Sequence, residues 1–191
     1  LSERLPDQKS KRTIRTTLGF ALTQMMINSS KIRTVHFHRR PDEGHHSIET
    51  LFESIRLGLA ELSWPVSAKT MPFLSQGLIP RIRNCWFAWR NRQLVNHVTG
   101  DIHYIALFLP RSKTILTIHD CEMLNRMKGW KYWVAKKFWF DLPTKRVGYV
   151  TTISQASKQK LVELTGIDDS LVVVIPDVVS EIFKQNSRTF D

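Results

Sequence analysis

The stretch KTILTIHDCE, residues 113–122, decides the fold. Residues 114–118 form a short run of β-branched and apolar side chains, and the run ends abruptly in a His–Asp pair, which is typical of a strand covered on both faces. In open α/β sheets, ligands bind where loops leave the carboxyl ends of the strands. We therefore expect His119 and Asp120 to lie at a functional edge of a sheet.

Strand-like and helix-like runs alternate on either side of this stretch. Strands are predicted at residues 34–38, 64–69, 93–99, 147–153 and 171–175, and helices at 48–59, 78–90, 102–109, 123–140 and between Ser154 and Gly166. This alternation predicts a doubly wound, mostly parallel Rossmann-like α/β sheet with helices on both faces. With the strand order 3-2-1-4-5-6, the loop of residues 39–46 would lie beside the loop of residues 119–122.

Several helices carry more detailed expectations. In the second helix, Pro80 suits the first turn, and the buried stripe is predicted to be Ile79, Ile82, Trp86 and Trp89. Asp101 is positioned to cap the helix after the third strand. The aromatic segment 123–140 is predicted to end before Pro143 and to pack on two sides; membrane contact through its Trp and Lys residues is the alternative.

Length and composition indicate a globular domain with a basic arm. The chain has 191 residues, 42% of them hydrophobic, and a net charge of +11. We divide it into a basic extension (1–31), a Rossmann-like domain (32–183) and the start of a linker (184–191). The extension either attracts the phosphates of lipids or nucleic acid or is simply solvated. Because the chain starts at Leu1 and stops just after a strand, we expect a fragment of a longer protein.

The cellular location is predicted from the apolar runs and the cysteines of the chain. No apolar run approaches the ~20 residues that cross a bilayer, and residues 14–27 suit an amphipathic basic helix that packs on the domain or touches a membrane. The two cysteines have no CxxC spacing, which suits a reducing compartment. Cys121 is either a nucleophile or a buried apolar group. We expect a cytoplasmic protein, with peripheral attachment to the inner face of a membrane as an option.

The candidate site residues flank the predicted strand ends. His119, with Asp120, could act as a general base or as a donor to developing charge, or could only cap the strand end. The loop carrying Arg40 and His45 could hold an anionic ligand or be solvated, and His103 could face the crevice. His36 and His38 share one strand face near His119, but no carboxylate pattern supports a metal site, and we expect none.

Three segments together resemble the N-terminal domain of GT-B fold glycosyltransferases of family 4 (group 1). They are TILTIHD, GYVTTISQASKQKLVELTGI and SLVVVIPDVVSEIF, and RRPDEGHHSIETLFESI resembles the first loop and helix of the family. No GxGxxG, GxxxxGK[ST] or GxSxG motif competes with this interpretation. The likeness covers most of residues 33–183.

The resemblance implies the acceptor-binding half of a glycosyltransferase that moves a sugar from a nucleotide-sugar donor to a sugar or lipid-linked acceptor. It implies retention of configuration, no metal and no cofactor beyond the nucleotide-sugar co-substrate. His119 matches the histidine near the acceptor, Asp120 its neighbour, Gly44 the loop glycine near the donor phosphates, and Ser154 the serine that opens a helix. The donor-binding C-terminal domain is missing, so we expect this fragment alone to be inactive.

A second hypothesis starts from charge alone. The chain would then be a basic α/β module that binds anionic lipid or nucleic acid without catalysis. The excess charge lies in residues 1–40, which carry nine Lys/Arg and two Asp/Glu. Of the two partners, we expect nucleic acid less. An anionic membrane surface is compatible with both hypotheses if the acceptor is lipid-linked.

Overall fold

The structure is a computed structural model, and it describes residues 33–41 and 47–177. Within them, one parallel sheet of six strands has the order β2-β1-β3-β4-β5-β6. The strands are β1 (Thr34–His38), β2 (Val66–Thr70), β3 (Val95–Val98), β4 (Thr114–Thr117), β5 (Tyr149–Thr152) and β6 (Val172–Val174). The helices are α1 (Ser47–Glu61), α2 (Leu78–Arg90), α3 (Trp130–Ala135), α4 (Leu142–Lys145) and α5 (Gln155–Thr165). The predicted α/β class is confirmed.

The strand order differs from the expected 3-2-1-4-5-6. After β2 the chain crosses back, and β3 pairs with β1, placing Phe37 opposite Val98. Residues of β2 are mostly polar and exposed, which suits an edge strand, whereas β3 alternates into the core. As a result β3 separates β1 from β4, and the predicted placement of these two strands as direct neighbours is wrong. Residues 42–46 of the loop after β1 lie outside the described residues.

The two faces of the sheet have different chemistry. The first face is apolar and packs into the main core with Cys85, Ala88 and Phe140; it presents Val35, Phe37, Val98, Leu116 and Val150. The second face carries histidines and threonines, and Phe52 of α1 packs over its histidines. Helices thus cover both faces, with α1 on the polar one.

Helix α2 is rotated relative to its apolar pattern. Its buried residues are Asn84, Cys85 and Ala88, whereas the predicted stripe is exposed: Ile79 66%, Ile82 55%, Trp86 58% and Trp89 47%. Hydrogen bonds of Asn84 explain this orientation. Its side-chain oxygen accepts from the N–H of Phe73, and its amide nitrogen donates to the Phe73 carbonyl and to the Tyr104 hydroxyl. If α2 were rotated so that its apolar stripe faced the core, these polar groups would be left without hydrogen-bond partners.

The aromatic segment is not one helix. A 3-10 turn at Glu122–Arg126 is followed by Gly129 (φ +59°), α3, a π-helical turn at Lys136–Asp141 and α4. Helical structure therefore continues past Pro143, which sits at the start of α4, where its missing N–H matters less. The predicted packing on two sides is also wrong: Trp139 and Phe140 are buried, but Trp130 (70%) and Trp133 (67%) are exposed.

Between residues 33 and 41 and between residues 47 and 177, none of the helices combines the length and the apolar composition that crossing a bilayer requires. Residues 14–27, predicted to form an amphipathic helix, lie outside the described residues.

Candidate active site

His119 follows β4 at the carboxyl edge of the sheet. Its side chain is 16% exposed, and Nδ1 lies 3.8 Å from Oδ2 of Asp177, which follows β6. The other ring nitrogen, Nε2, is buried and has no hydrogen-bond partner among the described residues. A buried nitrogen without a partner is costly, and a ligand that hydrogen-bonds to it would offset that cost. His119 is therefore the clearest candidate for ligand contact at this edge.

The backbone of His119 is held by helix α5. Ser154 caps α5 by accepting a hydrogen bond from the backbone N–H of Ser157 (3.1 Å), as the sequence predicts. The Ser157 hydroxyl then donates to the carbonyl oxygen of His119 (3.0 Å). Ser154, expected to bind substrate, thus acts in this structure as a cap that places Ser157 against the His119 backbone.

Asp120 is exposed, and its carboxylate accepts a hydrogen bond from the backbone N–H of Glu122 (2.8 Å). This local turn starts the 3-10 helix that follows. One carboxylate oxygen is thereby engaged in the backbone, while the side chain as a whole remains open to solvent.

Arg39 and Arg40 leave β1 in different environments. The Arg39 guanidinium is held between Glu49 (3.1 Å) and Asp101 (3.4 Å). Asp101 therefore bonds Arg39, and the expected Asp101 side-chain cap on the following helix is absent in this part of the chain. Because two carboxylates offset the charge of Arg39, the exposed Arg40, which donates to the carbonyl of Pro72 (2.8 Å), is the better candidate for an anionic ligand.

His103 does not open into the crevice. Its side chain is buried, Nδ1 contacts the carbonyl oxygen of Trp139 (2.8 Å), and the ring packs edge-on against Phe140. Burial lowers the pKa of His103, although the nearby Asp101 carboxylate opposes this. The expected substrate contact is thus replaced by a packing role beneath the site. Gly44 and His45 lie outside the described residues.

A layer of histidines lies under α1. His38 contacts Thr99 through Nδ1 (2.9 Å) and Arg56 through Nε2 (3.0 Å), and His97 contacts Thr117 (2.7 Å). Burial, followed by the proximity of His97 and His38, lowers the pKa of His36 to about 3, and burial and Arg56 lower that of His38 to about 4. These rings are therefore neutral at pH 7.

The histidine layer is a packed structure around Phe52, because the His36 ring meets His97 edge-on at 4.9 Å and Phe52 at 5.4 Å. Among the described residues, no group of three or more His, Cys, Asp or Glu side chains has the geometry to hold a metal ion.

Cys121 is buried, and burial raises its pKa to about 11. A thiol that stays protonated is a poor nucleophile, so the packing interpretation of Cys121 fits the structure.

Two cavities open near the same edge. The smaller, about 200 Å³, is lined by Arg39, Arg40, Ser75 and Asp101 among others. The larger, about 510 Å³, shares Ser75 and Asp101 and is otherwise mainly apolar, with Met123, Met127, Trp130, Val134, Ala135 and Trp139. A polar pocket thus lies beside a larger apolar one.

Sequence patterns missed two contributors to this edge, Ser157 and Asp177. Ser157 lies three residues after the cap Ser154, and this spacing marks the position whose N–H a cap bonds, so the pattern held a usable signal. Asp177 carried no such signal, since its approach to His119 depends on β6 lying two strands from β4.

Comparison of the chain with protein-family models gives no match, and comparison with curated proteins gives none either.

Proposed function

We propose that this chain is the acceptor-side domain of a GT-B glycosyltransferase of family 4, acting on a nucleotide-sugar donor with retention and without a metal. One observation carries the proposal. The three segments that resemble the family contain β4, β5 and β6, which are neighbours in the sheet, and their residues His119, Ser154 and Asp177 follow these strands. Their ends contact one another, through Ser157 on the His119 carbonyl and Asp177 near the His119 ring.

His119 is proposed to position the acceptor. The Asp177 carboxylate near Nδ1 favours a proton on that nitrogen, which leaves a lone pair on Nε2. A sugar hydroxyl donating to Nε2 would fill the hydrogen bond that this nitrogen lacks within the described part of the chain. The residue thereby holds the reacting sugar next to the carboxyl edge of the sheet.

The neighbouring side chains support a sugar and phosphate environment. Arg40 supplies an exposed cation, and Asp101 supplies a carboxylate for hydroxyl groups at the mouth of the smaller cavity. In an enzyme of this kind the C-terminal half would bind most of the nucleotide-sugar. Transfer then requires both halves, and we propose the acceptor side for the residues of this chain.

The test uses the full reading frame that contains these residues, assayed with a panel of nucleotide-sugars and with sugar and lipid-linked acceptors. The variants His119→Ala and His119→Gln are compared with His36→Phe, which replaces a histidine in the middle of β1. We expect the two His119 variants to lose roughly a hundredfold or more in kcat, the usual size of a positioned proton-transfer or hydrogen-bonding group.

The control should retain turnover, and all three variants should keep the circular dichroism of the parent. Full activity of His119→Ala would contradict the proposed role of His119. Absence of transfer by the parent with every donor, together with no donor hydrolysis, would contradict the glycosyltransferase assignment itself.

A further inference from the structure

Helix α2 presents an apolar face to solvent. Five large side chains on it are exposed by roughly half or more: Leu78 72%, Ile79 66%, Ile82 55%, Trp86 58% and Trp89 47%. At about 100° per residue, they fall within an arc of about 100° that adjoins the buried arc of Asn84, Cys85 and Ala88. Scattered apolar residues on a surface need no explanation, but a contiguous helical face of two Trp and three aliphatic side chains does.

The same face is bordered by cations. Arg83, Arg90 and Arg92 are exposed, with the Arg90 guanidinium 4.8 Å from the centre of the Trp86 ring and that of Arg92 4.5 Å from Trp89. Between Glu61 and Asp101 the sequence contains five Lys or Arg residues and no Asp or Glu. The charged residues that flank the apolar face in the sequence are therefore all positive.

We propose that α2 docks this domain on an anionic lipid bilayer, with its apolar face in the headgroup region and its arginines on lipid phosphates. Tryptophan and aliphatic side chains beside arginine are what an interfacial helix needs, because the rings prefer the boundary layer and the cations bind acidic headgroups. The positive border disfavours a second copy of the same face, since a symmetric dimer would bring the arginines together. The proposal is independent of sugar transfer.

Helix α3 adds to the docking surface. Trp130, Trp133 and Val134 are exposed, and Trp130 and Val134 line the larger cavity together with Arg81 of α2. The mainly apolar cavity thus opens between the two helices with exposed tryptophans. Asp101 also lines this cavity, so an apolar chain that entered it from the bilayer would reach the edge of the candidate site.

The test measures binding of the 191-residue chain to vesicles of equal parts phosphatidylcholine and phosphatidylglycerol, by co-sedimentation and by the blue shift of tryptophan fluorescence. The apolar variant is Trp86→Gln with Trp89→Gln. Its matched control is Leu57→Gln with Leu62→Gln, which removes two exposed leucines (64% and 77%) at and just after α1. We expect roughly tenfold or weaker binding for the tryptophan variant and parent binding for the control.

The charge variant replaces Arg83, Arg90 and Arg92 with Gln, and its control replaces the exposed Arg111, Lys113 and Arg126. We expect the first to lose about a hundredfold in binding and the second much less, with both parent and control losing binding in vesicles of phosphatidylcholine alone. Parent binding that the α2 variants leave unchanged would overturn the proposal and assign binding elsewhere. A dimer that the tryptophan variant dissociates, or binding to duplex DNA with no binding to vesicles, would also overturn it.

Discussion

The hydroxyl of Ser157 donates a 3.0 Å hydrogen bond to the main-chain carbonyl of His119. The contact joins the first turn of α5 to the end of β4, across β5. It fixes the backbone of the candidate site without engaging the imidazole, so the position of the ring depends on a helix that follows it by nearly forty residues.

Replacing Ser157 with Ala removes two hydrogen bonds, one donated to the His119 carbonyl and one accepted from the Ser154 hydroxyl (3.0 Å). It should lower the free energy of unfolding by about 1–3 kcal/mol, the usual net contribution of two hydrogen bonds. It should also change the NMR chemical shifts of the His119 ring, because the backbone that carries the ring loses a support. Urea unfolding and a histidine-edited spectrum measure the two effects. Ser112→Ala, at an exposed serine, serves as the control. An unchanged His119 signal in a destabilised Ser157→Ala would contradict the positioning role.

Acid should destabilise the protein through the histidine layer. The folded-state pKa values of His36 and His38, about 3 and about 4, lie below the ordinary 6.5. At pH values between the folded-state pKa and 6.5, the unfolded chain binds protons that the folded chain does not. The free energy of unfolding therefore falls as the pH drops below about 6.5, and these groups do not affect it at higher pH. Each histidine contributes a slope of up to about 1.4 kcal/mol per pH unit.

The variant His36→Phe isolates one of these histidines, because the His36 ring makes edge-on aromatic contacts and its Nδ1 has no hydrogen-bond partner in residues 33–41 and 47–177. Its stability measured by urea unfolding at pH 8, 6 and 5 should fall less steeply than that of the parent. Parallel curves for the two proteins would show that His36 titrates normally in the fold.

Asn84 supports the fold from the core. It is fully buried and bonds the N–H and the carbonyl of Phe73, together with the Tyr104 hydroxyl. Asn84→Leu should lower the free energy of unfolding by about 2–4 kcal/mol, because a leucine leaves those groups buried without partners. Thermal and urea unfolding measure the loss, with the exposed Asn125→Leu as control. A neutral Asn84→Leu would mean that the hydrogen bonds of Asn84 do not determine which face of α2 is buried.

Both cysteines should resist alkylation in the folded protein. Burial raises the pKa of Cys85 to about 12 and that of Cys121 to about 11, so little thiolate forms at pH 8. Iodoacetamide should modify the native chain about a hundredfold or more slowly than the chain in urea. Mass spectrometry of a time course gives the rate at each site. Rapid native labelling at Cys121 would restore the nucleophile hypothesis for that residue.

Much of the secondary structure follows from local sequence. The hydrophobic period and Pro80 predict α2 at its observed bounds, and the Ser154 and Gly166 signals predict both ends of α5, where Gly166 has φ +64°. These features depend on residues close together in the chain. Local chemistry decides them, so the sequence is enough to predict them.

The features that sequence missed depend on contacts between distant residues. The face of α2 is set by Asn84 meeting Phe73 and Tyr104, and a count of apolar residues cannot register one buried amide. The place of β3 depends on whether β2 or β3 is better suited to lie at the edge of the sheet. For the candidate site, His119 was predicted at a strand end, but its neighbours Ser157 and Asp177 required the sheet order.

The insertion of β3 between β1 and β4 sets a length scale for recognition. Adjacent strands lie about 4.8 Å apart, so the exits of β1 and β4 are separated by roughly 10 Å. The backbones of Arg40 and His119 therefore leave the sheet at separate points, with β3 between them. A molecule that engages both must be at least as long as that gap, which selects for chain-like or multi-ring compounds over isolated small anions.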